Sequence, residues 1–461
     1  MNKLDVKTAF DNRSIKEINI ASSSQVEKAL ELAFQTHNDM DARLPKYEII
    51  KILQKLIHHM GAKKESIIET AAKEGGKPWI DTKIEVDRAM HGIHIAINEI
   101  ETLSGTQIPM GHTRSSDNRL AFTTMEPRGV VLAISAFNHP VNLIVHQVIP
   151  AIAAGCPVII KPASATPLSC LNLIDLLYNA GLPKKLCQVL ITTKEDAEKL
   201  VSDKRVSFFS FIGSGRVGWK LRSMTAPGVH CALEHGGAAP VIVEKDADIT
   251  KMIPSLLKGG YYHAGQVCVS VQRVYVHKSI IDDVLEKFTP EVEKLIVGDP
   301  LDINTQVGPL IAPKEVDRVE QWVNEATQSG GKILCGGKRI SDTLYEPTII
   351  LNPDKDAKVS TKEIFGPVVC FYTYASLNDA IQKANALPYS FQSAIFTTNI
   401  NNALDATKRL QAETVMVNDH TAFRVDWMPF GGSAQSGLGT GGIGYSIKDM
   451  SKEKLMVFNL S

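Results

Sequence analysis

The sequence predicts an α/β fold of parallel sheets with helices on their faces, and two observations carry that reading. From Val130 onward, apolar runs of strand length alternate with stretches of helix length, the pattern of strands buried between helices. The chain has 461 residues and is 44% hydrophobic. That is too much for one core, since single cores stop growing at roughly 250–300 residues, so two or three domains are expected.

Residues 24–38, 44–75 and Ile80 to Leu103 repeat apolar residues at three- and four-residue steps and read as amphipathic helices. Leu120 to Pro127 alternates and suits an exposed strand. The α/β rhythm then begins with a strand at Val130–Phe137. Next come a helix at Pro140–Ala154, opened by a proline, and a strand at Pro157–Pro162. Pro167–Ala180 is a helix that Gly181 can end. Leu186–Thr192 and Val206–Ile212 are strands separated by a helix at Lys194–Val201, and Arg216–Met224 leads to a strand starting at His230–Leu233. Later strands are Val271–Val276, Val368–Tyr372, Ser393–Thr397 and Val415–Val417; later helices are Ser279–Leu295, Pro313–Ser329 and Leu377–Ala386. The stretch Met450 to Leu460 reads as a strand in need of a neighbour. In such folds ligands bind at the carboxyl ends of the strands.

Fifty Lys and Arg balance fifty Asp and Glu, which gives no reason to expect nucleic acid or an acidic membrane as a partner. No apolar run of about 20 residues is present, so no spanning helix is expected. The seven cysteines are scattered and never form Cys-x-x-Cys. That argues against a disulfide framework or a metal site and for a reducing, cytoplasmic setting.

Three residues suggest chemistry. Cys268, in Gly-Gln-Val-Cys, can attack a carbonyl; Glu234, in Leu-Glu-His-Gly-Gly, can activate water; Asn138, in Phe-Asn-His-Pro, can hold an oxyanion. Alone, Cys268 would read more readily as a small buried hydrophobe, since free Cys is among the most buried residue types. Gly213-Ser-Gly-Arg-Val-Gly218 follows a strand and precedes a helix, and a loop of that kind can receive a phosphate at the helix start. The acidic residue usual about 20 positions on would be Glu234, which is already wanted for activating water, so the loop supports a dinucleotide without specifying a standard arrangement.

Taken together, Glu-Pro-Arg-Gly-Val-Val (126–131), Phe-Asn-His-Pro (137–140), Lys-Pro-Ala-Ser (161–164), Phe-Ile-Gly-Ser (211–214), Leu-Glu-His-Gly-Gly (233–237), Gly-Gln-Val-Cys (265–268), Glu-Ile-Phe-Gly-Pro (363–367) and Pro-Phe-Gly-Gly (429–432) resemble the aldehyde dehydrogenase superfamily. The resemblance runs from about Arg88 to the carboxyl terminus. It implies two parallel-sheet α/β domains and a small β oligomerisation element. The dinucleotide-binding domain would hold residues 1–111 and 127–236, and the catalytic domain 237–428. Residues 112–126 and 446–461 would bridge subunits of a homodimer or homotetramer, and 429–445 would return to the cofactor domain.

The same resemblance implies that Cys268 is the nucleophile, that Asn138 and the Cys268 amide form the oxyanion hole, and that Glu234 activates water. It implies a cofactor site with Lys161 on the adenosine ribose, Ser214 beside Gly213 on the pyrophosphate, Glu363 on the nicotinamide ribose, and Phe365, Ala136 and Phe137 nearby. Many relatives carry glutamate where Ser164 stands. Serine does not repel a 2′-phosphate, so NADP is expected as cofactor, alongside NAD. His235 replaces a usual leucine, and the glycine-rich turn after Leu438 lacks a usual acidic residue.

For the substrate, His139, Arg88 and Arg424 resemble tunnel positions and favour a short polar aldehyde. Asp426, two residues from Arg424, offers it an ion-pair partner. The stretch Arg-Val-Asp-Trp-Met-Pro-Phe-Gly-Gly looks like the lactaldehyde, glyceraldehyde and phosphonoacetaldehyde dehydrogenase branches. Relatives that grip strongly anionic aldehydes often carry arginine before the nucleophile. Val267 stands there, which favours lactaldehyde or glyceraldehyde. The alternatives are an anionic aldehyde (phosphonoacetaldehyde, or a sulfo- or carboxy-semialdehyde) and a CoA-acylating enzyme.

Overall fold

The apolar strand runs are buried on both faces. A computed structural model describes residues 3–460; the ends of the segments expected to begin at residue 1 and to finish at 461 lie outside the described residues. In the strand Val130–Ile134, Val131 and Ala133 pack into one hydrophobic cluster, and Val130, Leu132 and Ile134 into another. A strand with helices on both sides has no polar face to show.

That strand is central to a six-stranded sheet with the order Gly437–Leu438, His230–Glu234, Val206–Ile212, Val130–Ile134, Val158–Lys161, Cys187–Val189. All neighbours are parallel except Gly437–Leu438, which runs antiparallel to His230–Glu234. A seven-stranded sheet follows the order Lys332–Cys335, Thr348–Leu351, Val368–Tyr374, Val271–His277, Ala239–Val243, Gln392–Phe396, Thr414–Val417. Only Lys332–Cys335 is antiparallel there. It has its own core, built on residues such as Val274, Phe288, Val319 and Phe371.

A third, antiparallel sheet orders Ser451–Asn459, Arg119–Pro127 and Gln107–Ile108. Its outer strand Ser451–Asn459 pairs with the central Arg119–Pro127 over nine residues, from Ser451 opposite Pro127 to Asn459 opposite Arg119. Leu120, Leu455, Val457, Phe458 and Leu460 are exposed on it.

Three expected elements change. The helix expected over 44–75 is two, Lys46–Ala62 and Lys64–Gly75, broken where Lys63 takes a non-helical φ of −113° and ψ of 17°. The strand expected to reach Phe137 ends at Ile134, and the helix expected from Pro140 starts at Asn142. Pro140 is therefore part of the turn that carries residues 137–141. The amides of Val141 and Asn142 open the helix by donating to Glu85 Oε1 at 2.8 and 3.0 Å. Glu85 Oε2 in turn receives the fully buried Lys77 Nζ at 2.5 Å. A carboxylate at a helix N-terminus satisfies orphan amides and suits the helix dipole. No described helix is long and apolar enough to cross a membrane.

Candidate active site

Strand ends of the six-stranded sheet converge on one cavity of about 1190 Å³. Residues 135–139 follow the strand Val130–Ile134, Gly213 and Ser214 follow Val206–Ile212, and Glu234 closes His230–Glu234; all of them line it. Cys268 reaches the same cavity from the other large sheet, just before the strand Val271–His277.

The loop that delivers Cys268 is strained and heavily tied. His263, Ala264 and Gly265 are all left-handed, with φ of 49°, 53° and 69°. A non-glycine residue in this region costs of order 1 kcal/mol or more and persists only where the surroundings enforce it. At Gly265 a side chain is excluded, since a Cβ would lie 2.1 Å from the Gly366 carbonyl oxygen. Gln266 staples the loop, donating to Pro309 O at 3.0 Å and accepting from the Ile311 amide at 2.9 Å. Beyond the thiol, Thr421 Oγ1 donates to Val269 O at 2.6 Å.

Asn138 is buried against this loop and donates from Nδ2 to Gln266 O at 2.9 Å. That uses one of its two N–H groups. Burial and the Glu234 carboxylate push the Cys268 thiol up to about 12, with Arg424 opposing. Burial raises Glu234 as well, and Arg424 again opposes. The thiol is thus protonated at rest, and the nearby carboxylate is a ready proton acceptor. The glycine-rich turn has a steric role here: a Cβ on Gly441 would sit 2.2 Å from Glu234 Oε1. The turn makes room for the carboxylate instead of supplying a second acid.

The other end of the cavity suits a dinucleotide. Glu363 is raised to about 8 by burial, and its Oε1 has no partner among the described residues. An orphaned buried oxygen of this kind fits a hydroxyl of a bound ribose. A Cβ on Gly236 would lie 1.7 Å from that Oε1, so glycine is required there. Phe365 adopts a left-handed φ of 48°, and its ring meets that of Phe137 edge-on at 5.9 Å. His235 lies beneath the glycine loop. Its Nδ1 is 3.2 Å from Gly213 O, its ring packs between Phe211 and Trp219, and a Cβ on Gly218 would fall 1.9 Å from its Cε1. Ala136 lines the cavity, but Lys161 and Ser164 do not; the lining reaches only Ala163 between them. Lys161 Nζ bonds Pro162 O at 3.3 Å, and Ser164 is exposed.

The remaining wall is polar. His139 is buried, bonded through Nε2 to Tyr262 Oη at 3.2 Å, and kept neutral by burial. The ion pair expected between Arg424 and Asp426 is not formed. Asp426 instead takes a fork from Arg88 (Nε–Oδ2 3.0 Å, Nη2–Oδ1 2.8 Å) and accepts from His146 Nε2 at 2.8 Å and Asn142 Nδ2 at 3.2 Å. Geometry decides this, because three donors on two helices already point at Asp426. Arg424 stacks on Phe430, its guanidinium carbon 3.6 Å from the ring centre, and bonds only His146 Nδ1, at 3.3 Å, among the described residues. Sequence reasoning missed His146, Asn142 and Glu85. Their signal was spacing, since Asn142 and His146 lie one helical turn apart, as do Glu85 and Arg88.

The Aldehyde dehydrogenase family model matches residues 1–456. A 3-sulfolactaldehyde dehydrogenase of Priestia aryabhattai is 38% identical over 460 residues, covering 99% of this chain and 95% of that one. Aldehyde dehydrogenase 21 from Physcomitrella patens, solved with the reaction product succinate, superposes with a TM-score of 0.96 at 35% identity, covering 100% of this chain and 95% of that one. The glyceraldehyde-3-phosphate dehydrogenase GapN from Methanocaldococcus jannaschii, complexed with NADP, does so with a TM-score of 0.95 at 36% identity, covering 100% and 99%.

Proposed function

The chain belongs to the aldehyde dehydrogenase family, and from that premise we propose that it oxidises a short aldehyde carrying a hydroxyl and an anionic group, such as a sulfonate or carboxylate, to the acid. The observation that carries this reading is Arg424, a cation on the cavity wall with no carboxylate partner among the described residues, because Asp426 is taken by Arg88. A guanidinium left in that state favours an oxyanion ligand. The named activity of the sulfolactaldehyde relative and the succinate held by the solved plant relative support the same class.

In this reading Cys268 gives its proton to Glu234, directly or through water, and its sulfur bonds the aldehyde carbon. The free N–H of Asn138 and the Cys268 amide hold the oxyanion. NAD(P), when bound, accepts the hydride. Glu234 passes the thiol proton to solvent, takes another from the water that cleaves the Cys268 thioester, and returns it to the departing sulfur, releasing the acid and restoring the thiol. Glu363 orients the nicotinamide ribose. Exposed, uncharged Ser164 leaves room for a 2′-phosphate, so NADP is used at least as well as NAD.

A second reading, an uncharged hydroxy-aldehyde such as lactaldehyde or glyceraldehyde, is favoured by Val267, an apolar residue lining the cavity beside the thiol. The test is an aldehyde panel read by reduced-cofactor absorbance, with NAD and NADP in parallel. The expected order of kcat/KM is sulfolactaldehyde, then lactaldehyde, then hexanal. Lactaldehyde ahead of sulfolactaldehyde would select the second reading, and hexanal in front would sink both. We also infer a homo-oligomer, its subunits meeting on the antiparallel ribbon of Arg119–Pro127 and Ser451–Asn459.

A further inference from the structure

We propose that His146 is a positioning residue for substrate charge: fixed by Asp426 in its Nε2–H tautomer, it holds the Arg424 guanidinium in place at the cavity wall. The inference rests on the reading that Arg424 meets an anionic substituent.

His146 lies within the helix Asn142–Ala153, is buried, and is not among the cavity-lining residues. It makes two hydrogen bonds, one from each nitrogen. On one side Nε2 lies 2.8 Å from Asp426 Oδ1; on the other, Arg424 Nη2 lies 3.3 Å from Nδ1. A carboxylate cannot donate and a guanidinium cannot accept. The imidazole must therefore donate from Nε2 and accept at Nδ1, which only the neutral form can do. Burial and the Arg424 charge lower His146 to about 4, with Asp426 opposing, in keeping with that state.

The other groups leave Asp426 no freedom to change partners. Arg88 grips both of its oxygens and Asn142 adds a third donor. The chain of contacts runs from Arg88 through Asp426 and His146 to Arg424, and then to the face of Phe430. Of these groups, Asp426 has neutralised Arg88. Arg424 makes no ion-pair contact among the described residues and feels Glu234 and Asp426 only through space, and His146 supports it without cancelling its charge. A carboxylate in the place of His146 would have done the opposite.

The test compares KM for a carboxylate- or sulfonate-bearing aldehyde with KM for lactaldehyde, because a purely structural role would move both alike. His146→Leu should raise the ratio of the two KM values roughly tenfold, the scale of losing one hydrogen bond to a charged group. His146→Gln supplies one donor and one acceptor, as the neutral ring does, and should restore most of the ratio. Equal losses for both aldehydes, or no difference between the Leu and Gln variants, would overturn the proposal. Should the leucine variant fail to fold, the near-isosteric Asp426→Asn gives a second readout. It weakens the anchor of His146 and should raise the same ratio; an unchanged ratio overturns the relay. Arg424→Leu separates the two layers. If it leaves the ratio unchanged, the underlying reading of Arg424 fails. If it raises the ratio while His146→Leu does not, the positioning role alone fails.

Discussion

At the scale of single residues, the chemistry depends on two carboxylates kept out of their ordinary ionisation range. Burial and, after it, the Glu234 carboxylate hold the Cys268 thiol protonated, so Glu234→Gln should let thiol alkylation proceed at somewhat lower pH while cutting turnover about a hundredfold or more. Iodoacetamide labelling rates across pH, set beside kcat, check both halves. Gly441→Ala should mimic the turnover loss without removing the acid, because the added methyl would occupy the place of Glu234 Oε1. Glu363 ionises near 4.5 when solvated and is raised to about 8 by burial in the fold. The stability its protonated form contributes is complete below the lower value and lost as pH rises through the upper one. Glu363→Gln should flatten that decline in melts recorded between about pH 5 and 9; an unchanged slope would remove Glu363 as its source. That Cys268, Glu234 and Asn138 belong together was legible in the sequence from the motifs that hold them, and all three line one cavity. The partner of Asp426 was not. Arg424 is two positions away, whereas Arg88 is 338 positions away and is brought there by tertiary packing.

Among the elements, the helix Asn142–Ala153 matters most, since the turn before it carries Asn138 and His139. Its first amides rest on Glu85, and Glu85 on the buried Lys77. Glu85→Leu should cost about 3–5 kcal/mol, because it strands a buried ammonium as well as uncapping the helix. Lys77→Met should cost less, since Glu85 keeps its two amide donors. Urea unfolding of the two variants tests the order; a reversed order would mean that the cap contributes little. The sequence revealed that this helix exists but misplaced its start. Proline is common at a helix beginning, but here a carboxylate from another helix caps the chain two residues later. The break at Lys63 was equally hidden, because the apolar spacing continues across it and only the backbone dihedrals change.

For the molecule as a whole, alternation of strands and helices made the parallel strands of the six-stranded sheet legible but only four strands of the seven-stranded one, with Ala239–Val243, Lys332–Cys335 and Thr348–Leu351 unforeseen, while the small third sheet showed only as two strands in need of partners. Its edge strand Ser451–Asn459 exposes Leu455, Val457 and Phe458, and an exposed apolar edge of this kind invites pairing with another chain. Leu455→Glu with Val457→Glu should shift the protein to smaller species in sedimentation velocity; an unchanged profile would place the subunit contact elsewhere. The turn that makes room for Glu234 has a consequence in time. Gly441, the edge strand Gly437–Leu438 and the helix Ile443–Asp449 that packs into the first core are all made long after Glu234 and Cys268. During synthesis Cys268 and Glu234, the proposed nucleophile and base, emerge before the segment that seats Glu234. Contacts so distant in sequence form late. The nascent chain therefore carries an immature site, and the proposed thioester chemistry awaits docking of the closing segment.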